Sequence, residues 1–175
     1  MGLLCGLVLG DEGVQPQDEA VETININKEP MHLTVPMFDD LVVDKESLSV
    51  KGSKPWFIKF YAPWCGHCKH LAPIFEDFSE QYKHMINIAQ VDCTSDEGRP
   101  LCGQFGIRGY PSLYFLKDNM AYQFRERRNV ESMAEFIVNE GYLNNKEEHI
   151  SEIPKRLEGF EKFMKEVKEF FSQLA

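Results

Sequence analysis

The chain has 175 residues, of which 43% are hydrophobic and 27% charged, a composition typical of one folded domain with extensions. Its formal net charge of −9 argues against nucleic acid as a partner, because nucleic-acid-binding proteins present concentrated Lys and Arg. No segment approaches the roughly 18 consecutive apolar residues of a membrane-spanning helix, so the sequence predicts none.

The first 30 residues differ in composition from the rest of the chain. Residues 1–10 (MGLLCGLVLG) are almost wholly apolar, whereas residues 11–22 contain five acidic residues and no basic one. This pattern is typical of the end of a secretory signal that is cut before Asp11, although the usual basic segment is missing. A frayed apolar terminus is the alternative. Residues 11–30 are predicted to form an acidic disordered tail.

From residue 31 the hydrophobic pattern alternates between strands and helices. Six strands or helical segments up to residue 105, and three more up to residue 139, are predicted from the spacing of apolar residues. In chain order they are strand 32–35, helical turn 37–45, strand 56–61, helix 65–82, strand 86–91, helix 99–105, strands 112–116 and 121–124, and helix 130–139. This order predicts an α/β domain over residues 31–143, with a mixed central sheet flanked by helices.

Residues 144–175 carry a separate pattern. A polar linker is predicted at 144–148, and apolar residues then recur every three or four positions up to Leu174. This spacing predicts an extra C-terminal amphipathic helix over 153–174. Its apolar face would pack against its own domain, a partner protein or a second copy, and the mixed charges on its other faces argue against a membrane surface.

Five cysteines stand at positions 5, 65, 68, 93 and 102. Removal of residues 1–10 as a signal would leave four, which is enough for two disulfides and suits an oxidising compartment. Cys65 and Cys68 form a Cys-x-x-Cys sequence where a buried strand is predicted to turn into a helix.

Three kinds of site use such a pair of cysteines. A c-type haem would require His at position 69, which is Lys. A structural zinc ion would require a second ligand pair, and the eight residues between Cys93 and Cys102 are a poor spacing for one. A redox-active pair is the interpretation that the residues favour, with zinc as the weaker alternative.

The position of the pair assigns a different role to each thiol. Cys65, at the helix N-terminus, meets unpaired N–H groups and the positive end of the helix dipole, so it is predicted to be the attacking thiolate. Cys68, one turn further, is predicted to resolve mixed disulfides. Between them, Gly66 permits close approach and His67 would stabilise the thiolate, unless the His67 side chain is merely exposed.

Three segments carry a resemblance to a known family: 60–73 (FYAPWCGHCKHLAP), 91–94 (VDCT) and 106–111 (GIRGYP). Over about residues 31–142, the sequence resembles a catalytic thioredoxin domain of the protein disulfide isomerase family. The resemblance implies a thioredoxin-like fold and a thiol:disulfide oxidoreductase or isomerase of the endoplasmic reticulum lumen or secretory pathway. It implies unfolded or partly folded cysteine-containing proteins as substrates, glutathione or an oxidase as redox partner, and no cofactor or metal.

The resemblance also implies roles for residues away from the Cys-x-x-Cys sequence. Pro111 corresponds to the cis-proline that faces the active-site sulfurs, and Trp64, Tyr110 and Pro111 are expected to bind substrate. Arg108 corresponds to the arginine that can swing toward the second cysteine and lower its pKa. The alternative for Arg108 is a solvated loop charge.

The sequence departs from the family at one position and agrees with some members at another. Many members carry a buried Glu six residues before the first cysteine, paired with a Lys on the next strand; here these positions are Lys59 and Gln90. Proton removal from Cys68 must then use water, another group or neutral Lys59.

Some members with several thioredoxin domains also pair two cysteines like Cys93 and Cys102, which predicts a structural disulfide, with two buried free thiols as the alternative.

The sequence leaves two other functions open. The first is a non-catalytic interaction subunit that keeps the fold and docks on a partner complex through the helix at 153–174. The second is a cytosolic reductase of the thioredoxin type, which His67 and the second cysteine pair disfavour.

Overall fold

A computed structural model describes residues 29–156, in which six strands form one mixed sheet with helices against both faces. No helix in this range is long and apolar enough to cross a membrane. The strands are β1 (Met31–His32), β2 (Trp56–Tyr61), β3 (Asn87–Asp92), β4 (Ser112–Lys117), β5 (Met120–Phe124) and β6 (Ile150–Glu152). The α-helices are α1 (Val35–Met37), α2 (Gly66–Tyr82), α3 (Arg99–Gln104) and α4 (Val130–Ile137), with a π-helical turn at Phe38–Val42 and 3₁₀ turns at Gly141–Asn144 and Glu147–His149.

Strand β2 lies at the centre of the sheet, whose strand order is β1-β3-β2-β4-β5-β6. Five of its six residues are buried, as the continuous apolar run predicts. It pairs in parallel with β3 and antiparallel with β4, and Phe60 lies opposite Ser112. The carboxyl end of β2, which leads into α2, therefore lies beside the segment that precedes β4.

The core has two layers, one on each face of the sheet. On one face Phe57 packs with residues of α2 and α4, among them Phe75, Phe78 and Phe136. On the other face Ile58 and Phe60 pack with α1, the π-helical turn and α3. Each fully buried aromatic or aliphatic side chain contributes about 1.5 to 3 kcal/mol to folding, so both layers hold the sheet in place.

Helix α2 positions the cysteine pair, and its sequence explains its length. Leu71, Phe75 and Phe78 recur at spacings of four and three residues and are buried on one face of the helix. Pro73 lies within α2 and its side chain is exposed, and the helix continues through it to Tyr82. The structure therefore confirms the mixed sheet with flanking helices that the sequence predicts.

The start of the domain differs from the prediction. The strand predicted at 32–35 ends at His32, and Val35 already belongs to α1. The side chain of Thr34 accepts a hydrogen bond from the Met37 N–H at 3.4 Å, and Pro36 stands at the start of the helix. A capping residue followed by proline in the first turn is a signal for a helix start, and here it ends the strand early.

The end of the domain lies further along the chain than the predicted boundary at residue 143. Residues 144–156 are not a linker leading into a helix: β6 pairs antiparallel with β5, and Ile153 is 1% exposed in the core. Gln104 donates to the Pro154 carbonyl at 2.6 Å, and Arg156 forms an ion pair with Asp39 at 2.7 Å. The predicted helix therefore does not begin at 153, because Ile153 is drawn into the core and Pro154 follows it.

Other predictions fall on residues that the structure does not describe. They are the signal at 1–10, the acidic tail at 11–28 and the amphipathic helix from residue 157 to 174. The last two residues of the predicted tail are ordered parts of the domain, since Pro30 is buried and Glu29 contacts Gln90.

Candidate active site

Cys65 caps the N-terminus of α2. Its backbone is extended, with φ −76° and ψ 120°, while its carbonyl already accepts the Lys69 N–H at 3.1 Å. Its own N–H donates to the Ala62 carbonyl at 3.1 Å, which closes the turn between β2 and α2. The sulfur is half-buried, unbonded and directed at Tyr110, whose carbonyl lies 3.6 Å from it. The predicted position of Cys65 at the helix start is therefore observed.

The surroundings of Cys65 favour its thiolate. The pKa of Cys65 is lowered, first by a hydrogen bond from the Cys68 thiol and then by the backbone N–H groups of Cys68 and His67. The positive charge of Arg128 adds to this effect. These are donors of the first helical turn together with a cation, the arrangement that activates a cysteine for nucleophilic attack.

Cys68 has the opposite character. It is 4% exposed, and burial raises the pKa of its thiol to about 11, with the negative charge of Cys65 acting in the same direction. The Ala62 backbone and the charge of Lys59 oppose this rise. Two free thiols one helical turn apart thus differ in both access and acidity: Cys65 is exposed to a reagent, and Cys68 faces the interior.

Tyr110 lies beside the Cys65 sulfur, and Trp64 and Pro111 are their neighbours in the chain. Binding of substrate by these three residues remains a prediction. Trp64 is 71% exposed, and its ring meets that of Tyr110 edge-on at 6.0 Å. The Tyr110–Pro111 peptide bond is cis, and Pro111 is buried. We call the surface that Trp64, Tyr110 and Pro111 form beside Cys65 the groove, and Trp64 and Tyr110 are its aromatic members.

The two residues between Cys65 and Cys68 are both exposed. Gly66 is exposed, and a side chain placed there would meet nothing within 4 Å. His67 is exposed too, and the contribution to Cys65 that the structure shows from it is the backbone N–H. The predicted stabilisation of the thiolate by the His67 side chain remains a prediction.

The structure adds Arg128 to the residues that act on Cys65, while the predicted action of Arg108 on Cys68 remains a prediction. Arg108 is exposed in the loop before Tyr110, and Arg128 is the arginine whose charge acts on Cys65. The Arg128 guanidinium donates to the Pro111 carbonyl at 3.1 Å. Sequence reasoning missed Arg128, although the run Arg125–Arg128 at the end of a predicted hairpin strand was a usable signal, because that strand returns to the start of its partner.

Lys59 lies behind Cys68 on the α2 face of β2. It is 3% exposed, and its Nζ lies 4.7 Å from the centre of the Phe75 ring and 5.2 Å from that of Tyr61. Burial lowers the pKa of Lys59, while the negative charges of Glu76, Cys68 and Glu29 oppose that shift. Burial therefore shifts this lysine toward its neutral amine.

A cleft of about 150 Å³ joins Lys59 to Cys68 and reaches the surface. Glu76, Glu29 and Gln90 also line it. The buried Gln90 donates to Glu29 at 3.2 Å and lies 2.8 Å from a ring nitrogen of His32, while a hydrogen bond from His32 lowers the pKa of Glu29. The polar lining provides several partners for water at the position where the family pattern has a buried carboxylate.

Cys93 and Cys102 form a disulfide bond that joins the end of β3 to α3, with their Cα atoms 5.7 Å apart. Both residues are 5% exposed within the core layer opposite α2. The bond lies on the other face of the sheet from Lys59 and Cys68.

Comparison with known proteins agrees with this geometry. Residues 31–139 match the thioredoxin family. The chain belongs to that family. Its thioredoxin-like α/β fold, predicted from the sequence, is confirmed.

The curated relatives include members named as disulfide isomerases, which confirms the predicted resemblance. The chain is 42% identical over 101 residues to protein disulfide-isomerase 1 of Dictyostelium discoideum, covering 55% of this chain and 28% of that protein. It is 41% identical over 115 residues to probable protein disulfide-isomerase A6 of Medicago sativa, covering 62% of this chain and 31% of that protein. The chain thus spans about a third or less of these relatives' length.

Solved structures give the same result. The J-Trx1 fragment of ERdj5 is 30% identical with a TM-score of 0.56, covering 66% of this chain and 51% of that fragment. The Trx4 domain of ERdj5 is 27% identical with a TM-score of 0.53, covering 63% of this chain and 94% of that domain. Both likenesses concern the thioredoxin domain.

Proposed function

We propose that the chain is a thiol:disulfide oxidoreductase and isomerase that acts on cysteine-containing proteins through Cys65 and Cys68. The observation that carries this proposal is the contrast between the two thiols. Cys65 is accessible, has a lowered pKa and opens onto the groove of Trp64, Tyr110 and Pro111; Cys68 is buried and has a raised pKa. The names of the relatives as disulfide isomerases support the same activity.

Oxidation of a client begins with the disulfide form of the pair. A client thiolate attacks the Cys65 sulfur, the Cys65–Cys68 bond breaks, and Cys68 leaves and takes up a proton. A second client thiolate then attacks the client sulfur of the mixed disulfide, which releases Cys65 as a thiolate. The client loses two electrons to the pair, and the lowered pKa of Cys65 makes it the better leaving group.

Isomerisation begins with the dithiol form. The Cys65 thiolate attacks a client disulfide and releases one client thiolate, which can then attack elsewhere in the client. If rearrangement stalls, Cys68 loses its proton and attacks Cys65, which frees the client in reduced form and leaves the pair oxidised. The first step uses the accessible thiolate, and the escape step requires the buried thiol.

The escape step needs a proton acceptor, because a thiol with a pKa of about 11 is almost fully protonated near pH 7. We propose neutral Lys59 for this role. It is buried behind Cys68, its amine is favoured by burial, and once protonated it would stabilise the new thiolate. Water in the cleft would then carry the proton to solvent past Glu76.

The secretory pathway, and the endoplasmic reticulum lumen within it, is the proposed location. The disulfide between Cys93 and Cys102 supports an oxidising compartment. Glutathione or an oxidase would then restore the oxidised pair, and residues 157–174 would contact a partner or a second copy. A purely structural docking subunit is not favoured, because such a role would not require the contrast between Cys65 and Cys68.

Two cysteine variants test the activity. Cys65→Ser should abolish both oxidation and isomerisation of scrambled ribonuclease, whereas Cys68→Ser should accumulate mixed disulfides because attack proceeds and escape does not. Reactivation assays and non-reducing gels separate these outcomes. Equal trapping by the two variants, or full activity of Cys65→Ser, would contradict the assigned roles.

The reduction potential of the pair distinguishes an isomerase from a reductase. We expect a value nearer the isomerase range of about −180 mV than the thioredoxin range of about −270 mV, because the helix terminus and Arg128 stabilise the Cys65 thiolate. Titration against glutathione measures it. A potential below about −250 mV would indicate a dedicated reductase.

A further inference from the structure

Basic residues are concentrated around Cys65 in a chain that is acidic overall. Three segments meet there: the start of α2, the loop that leads into β4 and the loop after β5. Over residues 60–75, 106–114 and 124–129 they carry five Lys or Arg and one acidic residue, Glu126, a formal charge of +4 in a chain of −9. The basic residues are Lys69, Arg108, Arg125, Arg127 and Arg128.

Contacts within the structure bring these segments together. The Cys65 sulfur faces the Tyr110 carbonyl at 3.6 Å, and Arg128 donates to the Pro111 carbonyl at 3.1 Å. Because Leu113 lies opposite Phe124 in the β4–β5 pair, the residues directly after Phe124 lie beside the residues directly before Leu113. We call Arg108, Arg125, Arg127 and Arg128 the arginine rim of the groove.

The charges of the arginine rim are available to a ligand. All four side chains are exposed, and within residues 29–156 none of them takes part in an ion pair. Glu126 within the rim and Glu131 in the first turn of α4 are the acidic residues nearest to it along the chain, and both are exposed too. The rim therefore keeps a net positive charge at the mouth of the groove.

We propose that the arginine rim selects protein segments in which acidic side chains flank the reacting cysteine. This inference rests on the proposed function, since the segment must be one that enters the groove to exchange disulfides with Cys65. The field of a surface charge is screened within about 8 Å at physiological ionic strength, so charges beside the groove act on the docked segment more strongly than the distant acidic residues of the chain. Guanidinium groups also bind carboxylates through paired hydrogen bonds, which a segment with flanking Glu or Asp would supply.

The test uses three matched dithiol peptides that differ only in two residues beside each cysteine: Glu, Gln or Lys. Oxidation of each peptide by the oxidised protein is followed by stopped-flow fluorescence, which Trp64 beside the redox pair makes suitable. Because flanking charges also change the intrinsic reactivity of a peptide thiol, each rate is divided by the rate of the same peptide with an uncharged small disulfide.

At low salt the normalised rate of the Glu peptide should exceed that of the Lys peptide by about tenfold, with the Gln peptide between them, and the difference should shrink as salt is added. The variant Arg125→Gln/Arg127→Gln should lower the Glu-to-Lys ratio at least about threefold and leave the Gln peptide unchanged. Lys54→Gln, which removes one positive charge near the opposite end of β2, is the control and should leave the ratio unchanged.

Equal normalised rates for the three peptides at low salt would overturn the inference, and so would a ratio that the double arginine variant does not change. Either result would leave the proposed function intact, because the Gln peptide would still be oxidised. Failure of all three peptides to react would instead contradict the proposed function itself.

Discussion

Burial of Lys59 has opposite consequences for stability and for chemistry. The folded protein lowers the pKa of this lysine, so the unfolded chain binds more protons at this position over the range between the two values. Below that range the protonated lysine keeps its full cost of burial. At pH 7, which is below the ordinary lysine pKa of about 10.4, burial of Lys59 therefore costs stability in either protonation state. The lowered pKa also shifts the lysine toward the neutral amine that the proposed proton transfer requires.

Lys59→Met should separate these two effects. We expect the variant to be more stable by at least about 1 kcal/mol at pH 7, because an apolar side chain of similar length removes the cost of burying the ammonium or of releasing its proton below the ordinary lysine pKa. The same variant should accumulate mixed disulfides with clients, because Cys68 loses its proton acceptor. Urea unfolding and non-reducing gels measure the two properties.

Lys54→Met makes the same substitution at an exposed position and should change neither stability nor trapping by a comparable amount. Loss of stability in Lys59→Met, or escape from mixed disulfides at the wild-type rate, would argue against the proton-acceptor role.

Cys65 and Cys68 should lose their protons at widely different pH values. Alkylation of Cys65 should reach half its maximal rate below the ordinary cysteine pKa of about 8.5, and alkylation of Cys68 should become appreciable only toward pH 11. The profiles are measured with iodoacetamide and mass spectrometry across pH 4 to about 11, within the range where the domain stays folded.

Two variants identify the causes of the low pKa of Cys65. Cys68→Ala should raise it most, because the hydrogen bond from the Cys68 thiol is its largest cause, and Arg128→Gln should raise it less. A larger shift in Arg128→Gln than in Cys68→Ala would show that the cation, rather than the hydrogen bonds of the helix terminus, controls this thiol.

At the scale of elements, the disulfide between Cys93 and Cys102 joins β3 to α3 across a separation of nine residues. Replacement of both cysteines by Ala should lower the free energy of unfolding by about 2 to 3 kcal/mol, because the closed loop no longer restricts the unfolded chain. Activity should be largely retained, since the bond lies on the face of the sheet opposite Cys68. Urea unfolding and ribonuclease reactivation measure both quantities, and loss of activity at a temperature where the variant is folded would indicate a redox role for this second pair.

The elements that the sequence predicts best are those with a long regular pattern. The apolar run from Trp56 to Tyr61 predicts a buried strand, and the spacing of Leu71, Phe75 and Phe78 predicts a helix. The cysteine pair lies where that strand turns into that helix. Strand β6 carries no such pattern: its three residues are half-buried or exposed, and only its pairing with β5 makes it a strand. A tertiary contact decides its conformation, so local spacing could not predict it.

The candidate site shows the same division between local and tertiary information. The roles of Cys65 and Cys68 depend on a helix start, which the sequence specifies within a few residues. The position of Arg128 depends on the register of β4 against β5, which places it at Pro111 from seventeen residues away in the chain. Sequence reasoning proposed Arg108 from the resemblance to the family, and its action on Cys68 remains a prediction, whereas Arg128 lies outside the three segments that carry that resemblance.

At the scale of the whole molecule, the domain extends beyond the region that matches the thioredoxin family. That match ends at residue 139, whereas β6, the buried Ile153 and the ion pair between Arg156 and Asp39 follow it. Residues 153–156, which follow β6, thus contact α3 and the π-helical turn, and Ile153 belongs to the core layer that packs against these two segments.

Two truncations test this boundary. A chain that ends at Asn145 should lose about 2 to 5 kcal/mol of stability, because Ile153 leaves the core and β5 loses its pairing with β6. A chain that ends at Arg156 keeps these contacts and should unfold at nearly the urea concentration of the full chain, with activity on a small peptide intact. Equal stability of the two truncated chains would show that residues 146–156 contribute nothing to the fold.

The position of β6 also affects how easily an unfolded client could pair with the edge of the sheet. An unfolded polypeptide readily pairs with a free strand edge, and a protein with the proposed function would meet such polypeptides constantly. In the sheet that residues 29–156 form, the two outermost strands are β1, with two residues, and β6, with three, while the longer β5 is covered. These two outer strands therefore offer a client only short edges for pairing, which favours release of the client once exchange with Cys65 is complete.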